Sequence, residues 1–460
     1  MIKKAQKGLK TIGAMALVTV LVACSANGGG NNIAVNSANV GKSPQPSTTA
    51  EQTAAPDNSA VKGDIKVLSI YAEGQAETFK KVMEKFNETY PNVKVTYMMQ
   101  GIHDLPALIS AGDTPDVILG GGGHGNYPAF WITDNLIQDL TPFIEKDKFF
   151  STDSLYETAY KRGIDSDGKI WQLPYSVDPN FTIVYNRDVL EQYGNTELPE
   201  MNSLQGFEDF VKSYWIAENG EQVMTTGSPL DLYGNWNTFT TFAYLNGADS
   251  NTFYNPETNK ATFNDPKIVE TLEWLVRFKR EYIDDERMKK LSDSLPENSS
   301  RLIAGKSLME INVVQHAQEN LRLNPDLEVA PMPSESLWQG GLALFMTTLG
   351  KKENEEAAWS LIKWISSSKE AAEINLQLNG VISAAKDNPY LLKQAESDPA
   401  LKVAYDILQR AKKLPPFPPV HFQFEFDAKY REVLDGKLEP KAFLDHMTTF
   451  IQALLDEQKP

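Results

Sequence analysis

The chain has 460 residues, 44 Lys and Arg against 61 Asp and Glu, a formal charge of −17, 41% hydrophobic residues and one cysteine. That balance excludes nucleic acid as a partner, because binding to phosphate backbones depends on Lys and Arg releasing counterions. A single cysteine also excludes an intrachain disulfide, so stability must come from a large core.

The N-terminus reads as a targeting segment. "MIKKAQKGLK" carries Lys3, Lys4, Lys7 and Lys10 with no acid, and an apolar run follows from Thr11 to Ala23. The run is shorter than the roughly 20 residues a bilayer span requires. A basic start, a short apolar stretch and small residues at its end describe a secretory signal over residues 1–23. The sequence "LVAC" at its end resembles the lipobox of bacterial lipoproteins. That resemblance implies that Cys24 becomes the mature first residue and carries thioether-linked and amide-linked lipid. A buried structural thiol is the usual alternative, but residues 25–62, rich in Ser, Asn, Thr, Gly and Pro, offer no core to bury it in. They read as a disordered tether, with an r.m.s. span of roughly 35 Å for a flexible coil. Loss of the four leader lysines takes the charge from −17 to −21. The expected location is the extracytoplasmic face of the cell membrane, and so long a tether suits a Gram-positive surface.

The remaining residues, close to 400, are enough for two lobes. "DIKVLSIYAEGQAETFKKVMEKFNETYPNVKVTYM" opens them. Ile65 to Ile70 reads as a strand and Ala72 to Gln75 as a loop. Phe79, Val82, Met83, Phe86 and Tyr90 then recur at helical spacing, Pro91 ends the helix, and Val93, Val95 and Tyr97 alternate as a second strand. This is a βαβ unit, whose parallel sheet places ligands at the carboxyl ends of its strands. Glu73 and Gln75 stand at the first such end, where helix capping or plain solvation is the competing reading.

"GDTPDVILGGGGHGNYPAFW" repeats the pattern. Asp116 to Leu119 reads as a buried strand, and a glycine-rich loop delivers His124, Asn126, Tyr127 and Trp131. The loop lacks the G-x-x-x-x-G-K-[ST] phosphate cradle. Its glycines instead let backbone approach a ligand closely, with His124 and Asn126 as candidate contacts.

Further along, several segments fall in a telling order. "DGKIWQLPYSVDPNFTIVYNRDVLEQYG", Asp167 to Gly194, resembles the strand by which extracellular solute-binding proteins of the maltose and multiple-sugar type pass from one lobe to the other. "NPETNKATFNDPKIVETLEWLVRFKREY" resembles the family's strand, turn and helix, with Asp265 as N-cap and Pro266 at the first helical position. "RLIAGKSLMEINVVQ" matches with Leu308 where alanine is common. "MPSESLWQGGLALFMTTLGKKENEEAAWSLIKWISSSKEAAE" matches with Gly340, Gly341, Ala357, Ala358 and Trp359 in place, and "LNGVISAAKD" matches with Ser383 for the usual proline.

The resemblance implies an α/β, two-lobed, periplasmic-binding-protein-like fold of type II, its lobes joined by hinge crossings around a ligand cleft. The implied division is an N-terminal lobe of 63–177 and 336–382 and a C-terminal lobe of 178–335 and 383–460. The implied function is the substrate-binding lipoprotein of an ABC importer. It would capture a carbohydrate, expected to be an oligosaccharide, by hinge closure and deliver it to two permease subunits and, through them, a cytoplasmic ATPase. No cofactor is implied, and the expected state is a monomer. A sugar needs flat aromatic surfaces for its C–H faces and Asp, Asn, Gln or His for its hydroxyl rim. In position, Asp178 and Asn180 match the residue with which family members bond sugar hydroxyls. Trp236 and Asn237 fall at the mouth of the second lobe, where an ordinary packing Trp is the competing reading. Trp338 and Gln339 fall at the return crossing. Phe422 falls where the family often places a stacking aromatic, against the alternative of a proline-stiffened packing segment.

Two other readings stay open. The same fold could bind a non-sugar solute or act as a sensor; a cationic solute would want acids in the cleft, with which Glu73 and Asp178 are compatible. A surface-anchored glycan-active enzyme would use a carboxylate pair, although H-E-x-x-H and G-x-S-x-G are absent and His103, His124, His316, His421 and His446 show no zinc spacing. "DSDGK" at Asp165 starts like a calcium loop, but Ser176 stands at the twelfth position, so a turn before a strand is the better reading.

Overall fold

The computed structural model describes residues 57–457 except 70–72, 99, 122–130, 133, 166, 180, 227–229, 231–234, 298, 334–340, 387, 411–417, 419 and 421, and within helices the side chains of 73–78, 103 and 379. In chain order the strands are β1 (Gly63–Ser69), β2 (Val93–Met98), β3 (Val117–Gly121), β4 (Leu173–Pro174), β5 (Thr182–Asn186), β6 (Ile216–Glu218), β7 (Glu221–Met224), β8 (Tyr254–Asn255), β9 (Lys260–Ala261), β10 (Met309–Asn312), β11 (Leu327–Pro331) and β12 (Leu342–Met346).

The first lobe is built on a five-stranded sheet of order β2-β1-β3-β12-β4. Strands β2, β1 and β3 are parallel, β12 runs antiparallel to β3, and β4 runs antiparallel to β12. Parallel strands covered on both faces need apolar residues at successive positions, and β1 and β3 supply them. Ile65, Val67, Val117 and Leu119 enter one buried cluster, while Leu68 and Ile118 enter the cluster on the opposite face. Helix Glu73–Thr89 buries Phe79, Val82, Met83 and Phe86, with Tyr90 just beyond its end, against the first of these. The helix starts at Glu73, so Glu73 to Gln75, expected as a loop, form a first helical turn, while Ala72 lies outside the described residues.

The second lobe holds a three-stranded sheet of order β10-β5-β11, with β5 antiparallel to both neighbours. Helices bury a large aromatic core against it. Helix Pro266–Tyr282 starts as its sequence requires, with Asp265 accepting from the Lys267 N–H. It is fastened to helix Leu204–Val211 by Glu208, which is 4% exposed. Glu208 accepts from Trp274 Nε1 at 2.8 Å, from both terminal nitrogens of Arg277 at 2.7 Å and from the Tyr282 hydroxyl at 3.1 Å. Those bonds, Arg277 first, hold its carboxyl below the ordinary range.

Three segments carry the chain between the sheets: β4 to β5, β11 to β12, and residues 380–388 after helix Lys369–Asn379. A third apolar cluster underlies them, drawing Tyr156 and Val177 together with Val184, Ile382, Leu391 and Leu401. Tyr156 N–H donates to Ala384 O at 2.8 Å and Lys386 N–H to Ser154 O at 2.8 Å, so the start of the segment after Ile382 pairs with residues 154–156. Ser383, in the place of a proline, is buried and its Oγ accepts from the Ala385 N–H. The stretch at Asp165 is a turn: the Asp165 carboxylate accepts from the N–H groups of Asp167 and Lys169 and from Trp171 Nε1.

Candidate ligand site at the crossing strands

The parallel strands bring their carboxyl ends to one edge of the first sheet. Strand register puts Met98 beside Leu68 and Ser69 beside Leu119. At the same edge Leu342 lies beside Gly121 and Pro174 beside Ala343. The helix bearing Glu73 and Gln75 follows β1, His124 and Asn126 follow β3, Asp178 and Asn180 follow β4, and Trp338 and Gln339 precede β12. Sequence order therefore assigns eight candidate residues to segments that begin or end at a single sheet edge. Asp178 is within the described residues; His124, Asn126, Asn180, Trp338 and Gln339 lie outside them, as do Cys24 and the side chains of Glu73 and Gln75.

At the second lobe, β5 begins at Thr182, and Asn312 of β10 and Pro331 of β11 lie beside it. The crossings are laced together between the two edges. Tyr175 N–H donates to Leu342 O at 2.8 Å, Leu342 N–H to Ser176 Oγ at 2.8 Å, Val177 N–H to Ile382 O at 2.9 Å and Met332 N–H to Phe181 O at 3.1 Å. The buried Tyr175 hydroxyl donates to Asn375 Oδ1 at 2.7 Å. Every crossing is thus bonded to a neighbour, which satisfies those backbone groups, and of the described side chains from 176 to 181 only that of Asp178 is not buried.

Asp178 sits in the middle of this lacing and its carboxylate accepts from the Gly341 N–H. As a residue it is half-buried, yet its carboxyl is enclosed enough that burial pushes it up to about 6, against the pull of Arg162 and of that hydrogen bond. Arg162 is 8% exposed, and burial lowers it to about 10, partly offset by Asp178. Gly341 has φ +99, and a Cβ there would lie 2.6 Å from Ser176 O and 3.3 Å from Arg162 Nη1. Only glycine permits this close approach of the two crossings. Arg162 and Ser176 were not among the candidates read from sequence. "YKRGID" offers no periodic or motif signal, and the partners of Arg162 lie on other elements.

Trp236 and Phe422 stand elsewhere than expected. Trp236 is 3% exposed and Phe422 is fully buried, with centroids 5.0 Å apart at 78°. Phe263 stacks on Trp236 at 5.6 Å and 21°, and Phe253 and Phe426 close on it edge-on. A sugar stacks on an open ring face, and these rings have theirs occupied by other rings. They are core residues of the second lobe, and the cluster they belong to extends to Phe181 and Met332 at the crossings. Asn237, next to Trp236 in helix Asn235–Leu245, is half-buried. Trp131, delivered by the glycine-rich loop, also packs inward, edge-on to Phe345 at 5.1 Å. Among the described residues no group of His, Cys, Asp or Glu could hold a metal, and no helix is long and apolar enough to cross a membrane.

Two α/β lobes joined by three crossings, with a polar residue presented between the sheet edges, define the class of two-lobed solute-binding proteins. Residues 72–372 match the bacterial extracellular solute-binding protein family, and the chain belongs to it. Solved structures share the fold at low identity. An ABC substrate-binding protein of Listeria monocytogenes in complex with cycloalternan is 21% identical, with a TM-score of 0.65 over 86% of this chain and 99% of its own. The sugar-binding protein MalE of Xanthomonas citri is 15% identical, with a TM-score of 0.67 over 86% and 100%. The cyclic α-maltosyl-1,6-maltose binding protein of Arthrobacter globiformis is 16% identical, with a TM-score of 0.63 over 86% and 100%.

Proposed function

We propose that this protein is the substrate-binding lipoprotein of an ABC importer, and that it captures an oligosaccharide between its lobes and delivers it to a membrane permease driven by a cytoplasmic ATPase. The observation that carries the reading is Asp178: an enclosed carboxylate on a crossing strand, at the meeting of two sheet edges, in a chain of the solute-binding family. A carboxylate so placed accepts hydroxyl hydrogen bonds that neither lobe alone completes. The names of structural neighbours, which include complexes with cycloalternan, mannobiose and mannotriose, support a carbohydrate ligand.

Micromolar affinity requires about 8 kcal/mol, and a hydrogen bond to a charged group contributes about 1.5–3 kcal/mol. Several contacts from both lobes are therefore needed, and ligand shifts the population toward a closed form about the crossings. The lipid on Cys24 and the tether would hold the domain at the outer membrane face, monomeric and without a cofactor.

Calorimetry against mono- and oligosaccharides, run beside a product assay, tests the reading. Saturable 1:1 heat without product supports a receptor. Product formation supports an enzyme instead, and silence toward every sugar combined with heat from a polyamine or peptide moves the ligand class. Exchange of Cys24 for Ala is expected to release the protein from the membrane fraction.

A further inference from the structure

We propose that Arg162 is a positioning residue of the ligand site: packed beneath Gly341, whose N–H holds Asp178, it counter-charges that carboxylate, so that the site presents an acceptor in a locally neutral setting. This rests on the carbohydrate reading and narrows it, because such a pair suits the hydroxyls of an uncharged sugar and disfavours a cationic solute.

Arg162 is seated by the chain on both sides of it. It lies in the tight turn Lys161–Gly163, and a Cβ on Gly163 would stand 2.5 Å from Gln172 Cγ and 2.7 Å from Gln172 O. The absent side chain lets the turn close on the approach to β4, where Trp171 N–H donates to Gly163 O at 2.9 Å and Ile164 bridges Ile170. Arg162 is thereby driven under the junction of the two crossings, with Nη1 3.3 Å from where a Cβ of Gly341 would be. Gly341 in turn gives its N–H to Asp178. First-lobe turn, outgoing crossing and returning crossing so meet at one guanidinium and one carboxylate.

Burying an arginine is costly unless it is opposed, and a guanidinium, unlike an ammonium, stays charged when buried. Among the described residues Arg162 is the charged group that acts on Asp178. The neighbouring Lys161 is paired with Glu157 at the surface, and on the third crossing Ser383 and Ala384 carry no charge while Lys386 turns its Nζ to Asp153 O. Asp178 stands close to half-protonation near pH 6, so loss of the opposing cation is readable as a change in pH dependence.

The test uses the folded chain as wild type, Arg162→Gln, Arg162→Lys and Asp178→Asn. Carbon-13 NMR of aspartate carboxyls, with Asp178 assigned from Asp178→Asn, is expected to show a midpoint near pH 6 in wild type. Arg162→Gln should raise it by about one pH unit, the size of a nearby opposite charge. Arg162→Lys, which keeps the positive charge, should leave it within about half a unit and keep binding close to wild type.

Calorimetry with maltotriose, mannotriose and cycloalternan at pH 5 to 8 is the second arm. The weakening of affinity toward acid should follow the same midpoints and vanish in Asp178→Asn. Sugar binding with an unmoved midpoint in Arg162→Gln, or with a pH profile that ignores a moved midpoint, overturns the proposal and leaves the carbohydrate reading intact. A moved midpoint with no sugar bound overturns the carbohydrate reading and leaves the tie between Arg162 and Asp178 supported.

Discussion

Two enclosed carboxylates face arginines in this molecule and behave in opposite ways. Glu208, in the second lobe, has both oxygens filled by Trp274, Arg277 and Tyr282, and its carboxyl is held below the ordinary range. Among the described residues Asp178, on the crossing, has one backbone N–H and the charge of Arg162, and burial wins, raising it to about 6. A fully bonded carboxylate is a fastening, whereas one held half-satisfied at a sheet edge is poised to accept from something else. The comparison sets Glu208 as a fastening against Asp178 as the proposed ligand contact.

The sharpest way to break that division is at Glu208. Glu208→Ala leaves Arg277 and Trp274 without their acceptor and is expected to cost about 3–5 kcal/mol, read by denaturant unfolding, with sugar affinity in the folded fraction changed less than two-fold. Glu208 has a lowered value in the fold, so its contribution is present above about pH 4.5 and is lost as pH falls below it.

Gly341→Ala should come next. It places a Cβ against Ser176 O at positive φ and is expected to cost about 2–3 kcal/mol while also weakening ligand binding, since the crossings must part.

Asp178→Asn is expected to invert the Glu208 result. Affinity should fall about tenfold or more, with the unfolding midpoint at pH 7 no lower than wild type. Here the folded state holds a proton that the unfolded chain gives up. Stability therefore falls as pH rises from about 4 to about 6 and is level above, and Asp178→Asn should flatten that slope.

Trp236→Phe is the mildest. A packing ring loses about 1–2 kcal/mol of stability and no affinity; a tenfold loss of affinity at unchanged stability would return Trp236 to the ligand.

Much of the scaffold was legible because periodicity reports burial. The stripe Phe79, Val82, Met83, Phe86 and Tyr90 and the cap Asp265 before Pro266 are local patterns, and each is an element in the structure. The resemblance around Asp167 to Gly194 located the segment that leaves β4 and enters β5, which no periodicity could have shown. Trp236 and Phe422 misled because a sequence shows that an aromatic is near a lobe mouth, not whether another ring covers its face. Arg162 was missed for a different reason. Its meaning comes from Gly341 and Asp178, which the fold alone brings to it, and from a missing Cβ at Gly163 that reads in sequence as an ordinary turn.

The structure of the folded chain with its tightest-binding oligosaccharide tests the central claim most directly. The account predicts a sugar between the two sheet edges, with a ring hydroxyl within hydrogen-bonding distance of Asp178 and the Gly341 contact kept. A sugar seated elsewhere, for instance in the second-lobe hollow of about 340 Å³ lined by Ser299, Arg301 and Glu310, with Asp178 untouched, would contradict it.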